Sequence, residues 1–347
     1  MASERKTEQA KQLLVRYIRD HQLKTGDRLP PQDFLRKTFN VGTATIGTAI
    51  NELKHDGVLE VRDKIGVFVI DPNADGHAGR QIGITARHVE ESPYYSCMLC
   101  TLQMKLIRKG CYVRIFCYQH SRNKNFFQFD IDDYPGLKRS IENKELDGII
   151  HLDSFKDKAL KFIHKHEIPL IFVGSEGPSP DGLFYDQKSL LLDICRKLEK
   201  FQPRRPALYS SGGIDQYLNP IFMELTGNRG QVYSGRTLED GKRIADEIIA
   251  LPEDRRPDWI IYMDDILAQK ITSELALHLP ADKLPRAVIL RNKQLMISYA
   301  VPEPIFYDID MTEVGDIASE MLMDAMKTGN PNPGKMYYRL RESNRTM

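Results

Sequence analysis

The sequence predicts an α/β chain in two parts: a small helical head closed by a hairpin, and a long doubly wound segment. Three observations carry this. Residues 6–70 read as helix, helix, tight turn, helix and hairpin. The stretch 71–79, Asp-Pro-Asn-Ala-Asp-Gly-His-Ala-Gly, is small and polar, rich in turn formers and almost without apolar anchors. Beyond it, short apolar runs alternate with helical periodicity, the pattern of parallel sheets covered by helices on both faces. These features set a head at 1–71, a linker at 72–79 and a segment at 80–347, long enough for two lobes.

In the head, Leu13, Leu14, Tyr17 and Ile18 fall at helical spacing within residues 6–21, and Lys24–Pro31 breaks that helix. Pro31 suits the first turn of a second helix reaching Phe39. Asn40-Val41-Gly42 makes a tight turn. A third helix then runs from Thr43 to His55, burying Ile46, Ala49, Ile50 and Leu53, and Asp56-Gly57 stops it. Val58–Arg62 and Ile65–Ile70 are β-branched runs joined by Asp63-Lys64, a hairpin. Two helices joined by a tight turn form the unit whose second helix enters a DNA major groove. That helix would present Thr43, Ala44, Thr45, Gly47, Thr48 and Asn51, and the hairpin would be a wing with Arg62 and Lys64 near its tip.

The head resembles the GntR-type winged-helix regulators in four dispersed pieces: Leu23–Pro30; Phe39-Asn40-Val41 with Thr45-Ile46 and Ala49-Ile50; Leu53–Leu59; and Gly66–Val69. The resemblance implies double-stranded operator DNA as partner. It also exposes departures. Pro31 and Asp33 stand where the family has Ser and Arg, and Gly42, Thr43 and Gly47 stand where it carries Val-Ser-Arg and a second Arg. Guanidinium forks to guanine are the commonest specific base contact, so the head either reads a different operator, with Thr45, Thr48 and Asn51 beside Thr43 at the helix start, or binds DNA more weakly. Lys6, Arg36, Lys37, Lys54, Arg62 and Lys64 are the phosphate candidates.

Beyond the linker the expected strands are 81–85, 112–118, 148–152, 170–173, 206–210, 231–234, 259–263 and 287–290. The helices between them are 94–109, 134–143, 156–166, 187–201, 218–226, 238–251 and 266–278. Ligands of such folds lie at the carboxyl ends of the strands. Those ends supply Arg87 with Tyr94 and Tyr95, then Ser175, then Ser211 and Asp215, then Asp264 and Asp265, and finally Arg291 and Asn292. Carboxylates, amides and guanidinium groups beside an aromatic face are the groups a sugar demands.

This segment is similar to the effector domain of lac-repressor-type regulators, which share the fold of periplasmic sugar-binding proteins. The similarity runs through Ile82-Gly83-Ile84, Ser92–Tyr95, Lys109–Val113, Asp147–Ile150, Ile168–Gly174, Pro257–Asp265 with Ala268, and Asp310–Gly315 with Ala318. It implies a two-lobed sugar-sensing effector domain, with Asp264 in a slot the family uses for sugar. Arg291-Asn292 replaces the family's usual Asp, which admits a sugar acid or sugar phosphate besides a neutral sugar. Tyr217 and Asn219 lie where the family has an Arg after Ser211.

Other features weigh against competing classes. With 49 basic and 48 acidic residues, 41% hydrophobic residues and a mean hydropathy of −0.42, the composition is that of an ordinary globular protein and excludes a disordered or collagen-like chain. The near-neutral total does not exclude DNA, because residues 1–72 hold 12 basic and 10 acidic side chains and form a mildly basic head. No run approaches the ~20 apolar residues of a membrane span, and the start lacks an apolar signal core. The five cysteines form no disulfide framework, so reduced thiols in the cytoplasm are expected. Cys97-Met98-Leu99-Cys100 lies in an apolar helical run without a second pair, and His164 and His166 diverge on a helix, so neither predicts a metal. Ser210-Ser211-Gly212-Gly213 lacks the Gly-Lys-Ser/Thr of a nucleotide loop. No catalytic set and no cofactor is expected. The sequence thus points to a homodimeric, ligand-responsive repressor of sugar catabolic genes. The alternatives are an α/β enzyme with an appended winged helix and a winged-helix scaffold that no longer reads DNA.

Overall fold

The computed structural model describes residues 2–55, 58–62, 65–70, 80–86, 92–118, 128–152, 154–175, 179–211 and 213–343, with the backbone alone at 2–5, 8 and 55. The linker therefore lies outside the described residues, as do Lys64 and Arg87.

The head consists of α1 (Ala2–Asp20), α2 (Gln32–Phe39), α3 (Thr43–His55), β1 (Leu59–Arg62) and β2 (Gly66–Val69). Pro31 caps α2 from outside rather than opening its first turn, and its carbonyl accepts from Phe34 and Leu35 N–H. Asn40, at φ 52°, closes α2 in the left-handed conformation that short polar side chains tolerate. Ala10, Leu14 and Ile18 of α1 meet Leu35 of α2 and Ile46, Ala49, Ile50 and Leu53 of α3 in one buried cluster. Lys11 reaches Glu52 at 3.3 Å across the α1–α3 contact. The hairpin pairs Leu59 with Val69 through Arg62 with Gly66. Residues 26–29 add a third run to it, through Leu29 N–H to Val67 O at 2.8 Å and Val69 N–H to Asp27 O at 2.9 Å.

The larger segment runs β3 (Gln81–Ala86), α4 (Pro93–Arg108), β4 (Tyr112–Cys117), β5 (Gln128–Phe129), α5 (Pro135–Glu142), β6 (Gly148–His151), β7 (Ser154–Phe155), α6 (Asp157–Lys165), β8 (Leu170–Ser175), β9 (Gly182–Tyr185) and α7 (Gln187–Leu198). It continues with β10 (Pro206–Ser210), α8 (Asp215–Leu225), β11 (Gln231–Ser234), α9 (Leu238–Ala250), β12 (Trp259–Tyr262), α10 (Asp265–His278), β13 (Arg286–Asn292), β14 (Ile305–Ile309), α11 (Met311–Thr328), β15 (Lys335–Tyr338) and β16 (Arg341–Glu342). Two six-stranded sheets result. The first has the order β4-β3-β6-β8-β9-β15 and is wholly parallel. The second has the order β11-β10-β12-β13-β14-β16, with only β16 antiparallel. In each sheet the strand order reverses once, between β3 and β6 and between β10 and β12.

The chain passes between the sheets three times, through α7, at Asp310, and at Arg339-Leu340. Strand alternation sends adjacent residues to opposite faces. Ile149 enters a cluster under α5 and α6, whereas Ile150 enters the central cluster. Ile260 and Ile261 divide likewise between the cluster under α9 and α10 and the central one. The central cluster joins Ile82 and Ile84 of one sheet to Leu208, Ile261 and Val288 of the other, with α7 contributing Leu190, Leu191, Ile194 and Leu198. Strands β9 and β14 to β16, helix α11 and the short β5 and β7 are additions to the sequence reading.

Gly182 shows how tightly β8 and β9 are joined. It pairs with Phe172 at φ 150°, and a Cβ there would fall onto the Phe172 carbonyl oxygen and backbone nitrogen. Gly182→Ala is expected to destabilise the protein by about 2 kcal/mol or more. Urea unfolding measures this, and a stability equal to the parent would contradict the close approach.

Candidate nucleic-acid interface and ligand cleft

With Ile46, Ala49, Ile50 and Leu53 turned to the core, the opposite side of α3 exposes Thr43, Ala44, Thr48, Asn51 and Lys54, while Thr45 is half-buried. Residues 44, 48 and 51 are three and four apart and so share one helix face. The Thr48 hydroxyl donates to Ala44 O at 2.9 Å, which spends its hydrogen within the helix and leaves its methyl and lone pairs outward. Lys6 and Lys37 are exposed. Arg36 lies 3.6 Å from Asp33 on the same helix. Arg62 is held on the wing by Glu60, at 2.8 and 2.9 Å, and lies 4.5 Å from the centre of the Phe68 ring. A phosphate would have to compete with Glu60 for it.

In the larger segment, helices α7 and α8 both start at carboxyl ends of strands, α7 after β9 and α8 after β10. The Tyr217 hydroxyl on α8 donates to Gln187 Oε1 on α7 at 3.3 Å, so the carboxyl ends of the two sheets meet there. On the first sheet's side, Tyr94 in the first turn of α4 shares a 2.7 Å hydroxyl–hydroxyl hydrogen bond with Tyr185 at the end of β9. Tyr94 also sets its ring edge-on to Tyr95, with centroids 5.3 Å apart. Ser175 ends β8 in register with Tyr185 and is half-buried. Tyr185 is missing from the sequence reading because its strand is. Its signal is the run Gly182-Leu183-Phe184-Tyr185 followed by Asp186, whose side chain accepts from Ser189 N–H and starts α7.

On the second sheet, the strand reversal brings the ends of β10 and β12 together. Ser211 Oγ donates to Asp264 Oδ2 at 3.4 Å. Asp264 Oδ1 accepts from Leu267 N–H at 2.9 Å and caps α10. Asp265, buried behind it, accepts from both Asn292 N–H at 2.8 Å and Asn292 Nδ2 at 2.9 Å on a single oxygen. Burial, reinforced by the charge of Asp265, pushes the Asp264 carboxyl up to about 6. Burial raises Asp265 as well, against the two Asn292 hydrogen bonds. Asp215 opens α8 and binds Gln216 N–H at 3.0 Å.

Arg291 and Asn292 part company by strand alternation. Asn292 turns to Asp265. Arg291 Nε binds Asp308 Oδ1 at 2.7 Å, its Nη2 reaches Ser343 Oγ at 3.3 Å, and its guanidinium lies 4.0 Å from the Phe306 ring centre. The sequence reading did not include Asp308, which neutralises that guanidinium. Among the described residues, no group of three or more His, Cys, Asp or Glu is placed to hold a metal ion, and no helix is long and apolar enough to cross a membrane. Of the C-x-x-C pair, Cys100 is exposed, and burial raises the Cys97 thiol.

Residues 6–69 match the family model of bacterial regulatory proteins, gntR family. Over 51 residues the chain is 45% identical to the putative HTH-type transcriptional regulator RmpR of Mycobacterium gastri, a stretch covering 14% of this chain and 19% of that protein. The chain thus spans about a fifth of the length of this curated relative. Among solved structures it is similar to a LacI family transcriptional regulator from Arthrobacter sp. FB24 in complex with lactose, at a TM-score of 0.60 and 15% identity, covering 76% of this chain and 97% of that one. It is also similar to the Cra transcriptional dual regulator from Pseudomonas putida in complex with fructose 1-phosphate, at 0.60 and 18%, covering 77% and 99%. The chain therefore carries a gntR-type helix-turn-helix domain and an α/β segment with the fold of LacI-family regulators.

The carboxyl of Asp264 makes stability depend on pH. Its folded value of about 6 lies above the ordinary 3.8, so between those values the folded chain binds more protons than the unfolded one. This contribution favours folding most below about pH 4 and is lost as pH rises through 6. Asp264→Asn keeps a cap and removes the charge. Relative to the parent, the variant should gain up to about 2 kcal/mol between pH 4.5 and 7.5. Urea unfolding at both pH values reads the difference, and a gap that does not change with pH contradicts the assignment.

Proposed function

We propose that the protein is a ligand-responsive transcription regulator, a homodimeric repressor of sugar catabolic genes that a small sugar or sugar derivative releases from its operator. The observation that carries the reading is the pairing in one chain of a gntR-type head, with an exposed polar face on α3, and a LacI-type fold whose strand reversal presents Asp264 with Ser211. Two-fold symmetric half-sites call for two heads. The solved neighbours hold lactose and fructose 1-phosphate. For this chain the favoured effector is a neutral polyhydroxy compound. Asp264 offers an acceptor to its hydroxyls, Tyr94 and Tyr95 offer an apolar face, and Arg291 is already paired with Asp308. The effector acts by binding one relative position of the two lobes more tightly than the other, since only differential affinity shifts such an equilibrium.

A second reading is a head that has lost DNA recognition, and Gly42, Thr43 and Gly47 at the family's arginine-bearing stretch favour it. A mobility-shift titration on the DNA upstream of the protein's own gene separates the two. Binding at low salt that Asn51→Ala weakens about tenfold, the worth of one good base contact, supports the regulator. Absence of binding at low salt overturns it. A thermal-shift screen of neutral sugars, sugar acids and sugar phosphates tests the sensor. Ligand at 100-fold over its Kd should add ~2.7 kcal/mol of stability, and DNA binding that no stabilising compound alters overturns the effector-release mechanism.

A further inference from the structure

The last turn of α1 touches the larger segment at a place neither reading above uses. Arg19 Nη1 binds Asp147 Oδ1 at 2.6 Å. Arg16 Nη2 lies 3.5 Å from Lys144 O, on the same turn that leads into β6. Asp147 is only 14% exposed, and its other partners belong to the larger segment: Gln81 N–H at 2.7 Å to Oδ2 and Arg80 Nη1 at 3.4 Å to Oδ1. One carboxylate therefore ties together the head, the first residues after the linker and the entrance to β6. Two guanidinium groups share it, so the junction keeps an excess positive charge. Arg80 is accordingly lowered, by burial first and by Arg19 second.

The position of Asp147 gives the contact its meaning. Residue 147 precedes β6 and Gln81 opens β3, and these neighbouring strands pair from Ile82 with Gly148 to Thr85 with His151. Their carboxyl ends flank the strand reversal of the first sheet, while their amino ends carry the head contact. Strands of six and four residues are short, stiff struts of about 20 and 13 Å.

We propose that Arg19–Asp147 is a seat by which the larger segment fixes the angle of the head. The seat is a positioning contact, since the docked head leaves Thr43, Thr48 and Asn51 of α3 exposed. Its consequence for regulation, that lobe movement at the carboxyl ends of β3 and β6 is conveyed to the head through their amino ends, rests on the regulator reading above.

The test uses the full chain and small-angle X-ray scattering. Arg19→Glu replaces the attraction by repulsion and should shift the docked-to-undocked ratio about fivefold or more, enlarging the radius of gyration and broadening the distance distribution. Arg19→Lys should retain the parent profile at low salt. About 1 M salt should move the parent toward the Arg19→Glu profile and leave that variant unchanged. Slow hydrogen exchange at the Gln81 amide, whose bond to Asp147 does not involve Arg19, reports that the larger segment of each variant is folded. Superimposable profiles for the parent and Arg19→Glu at low salt overturn the seat. An expanded Arg19→Glu in a protein that binds no DNA leaves the seat standing and removes the regulator reading. Normal DNA binding with an unchanged profile does the reverse.

Discussion

A helix that follows a parallel strand starts with unpaired N–H groups at the carboxyl edge of the sheet, and this constraint organises the larger segment. Each such helix needs an acceptor at its first turn. Asp186 supplies it for α7, Asp264 for α10 and Asp310 for α11. Carboxylates therefore collect at the edge where a ligand would bind, for reasons that begin with folding. What separates them is what else they touch. Asp310 is desolvated, yet Lys293 at 2.8 Å and Gln294 at 2.7 Å hold it below the ordinary aspartate range. Among the described residues no cation of that kind pairs with Asp264, which is buried with Asp265 next to it, so its carboxyl is raised. Two caps of one residue type thus differ in how well their charge is compensated, and the undercompensated one lies at the strand reversal. A ligand hydroxyl donating to Asp264 would supply part of what Lys293 supplies to Asp310.

The head was legible in the sequence because its contacts are local. Breakers at Lys24–Pro31, the turn at Asn40-Val41-Gly42 and the stop at Asp56-Gly57 mark the three helices, and α3 occupies the expected residues. The alternation beyond the linker was equally legible. The elements it left out depend on distant partners. Strand β15 is mostly exposed in sequence character and exists by pairing with β9, about 150 residues earlier, and β16 exists by pairing with β14. Strand β9 follows Pro178-Ser179-Pro180-Asp181, a breaker run that hides four buried residues behind it.

The cleft was legible as a set of chain positions and less so as a set of side-chain directions. Arg291 and Asn292 follow the same strand and look equivalent in the sequence. In the sheet they face opposite ways, and Arg291 lies in register with Asp308 on β14. Only the pairing register reveals that the guanidinium already has a carboxylate. The same holds for Asp147, which reads as the ordinary start of a strand until α1 is laid beside it.

A weakly charged head has little electrostatic grip on DNA. Its excess of two basic residues over residues 1–72 gives little counterion release, and Arg62 is partly committed to Glu60. A single such head would bind feebly. In the proposed dimer two heads would act at high effective concentration, but only when their spacing and angle match the half-sites. In that regime geometry governs affinity more than charge does, and a change of angle at each head costs as much as the loss of several contacts. A head seated on a partly buried carboxylate at the amino ends of β3 and β6 is well suited to that control. Without such a contact, effector binding at the far end of the strands would have nothing rigid to move.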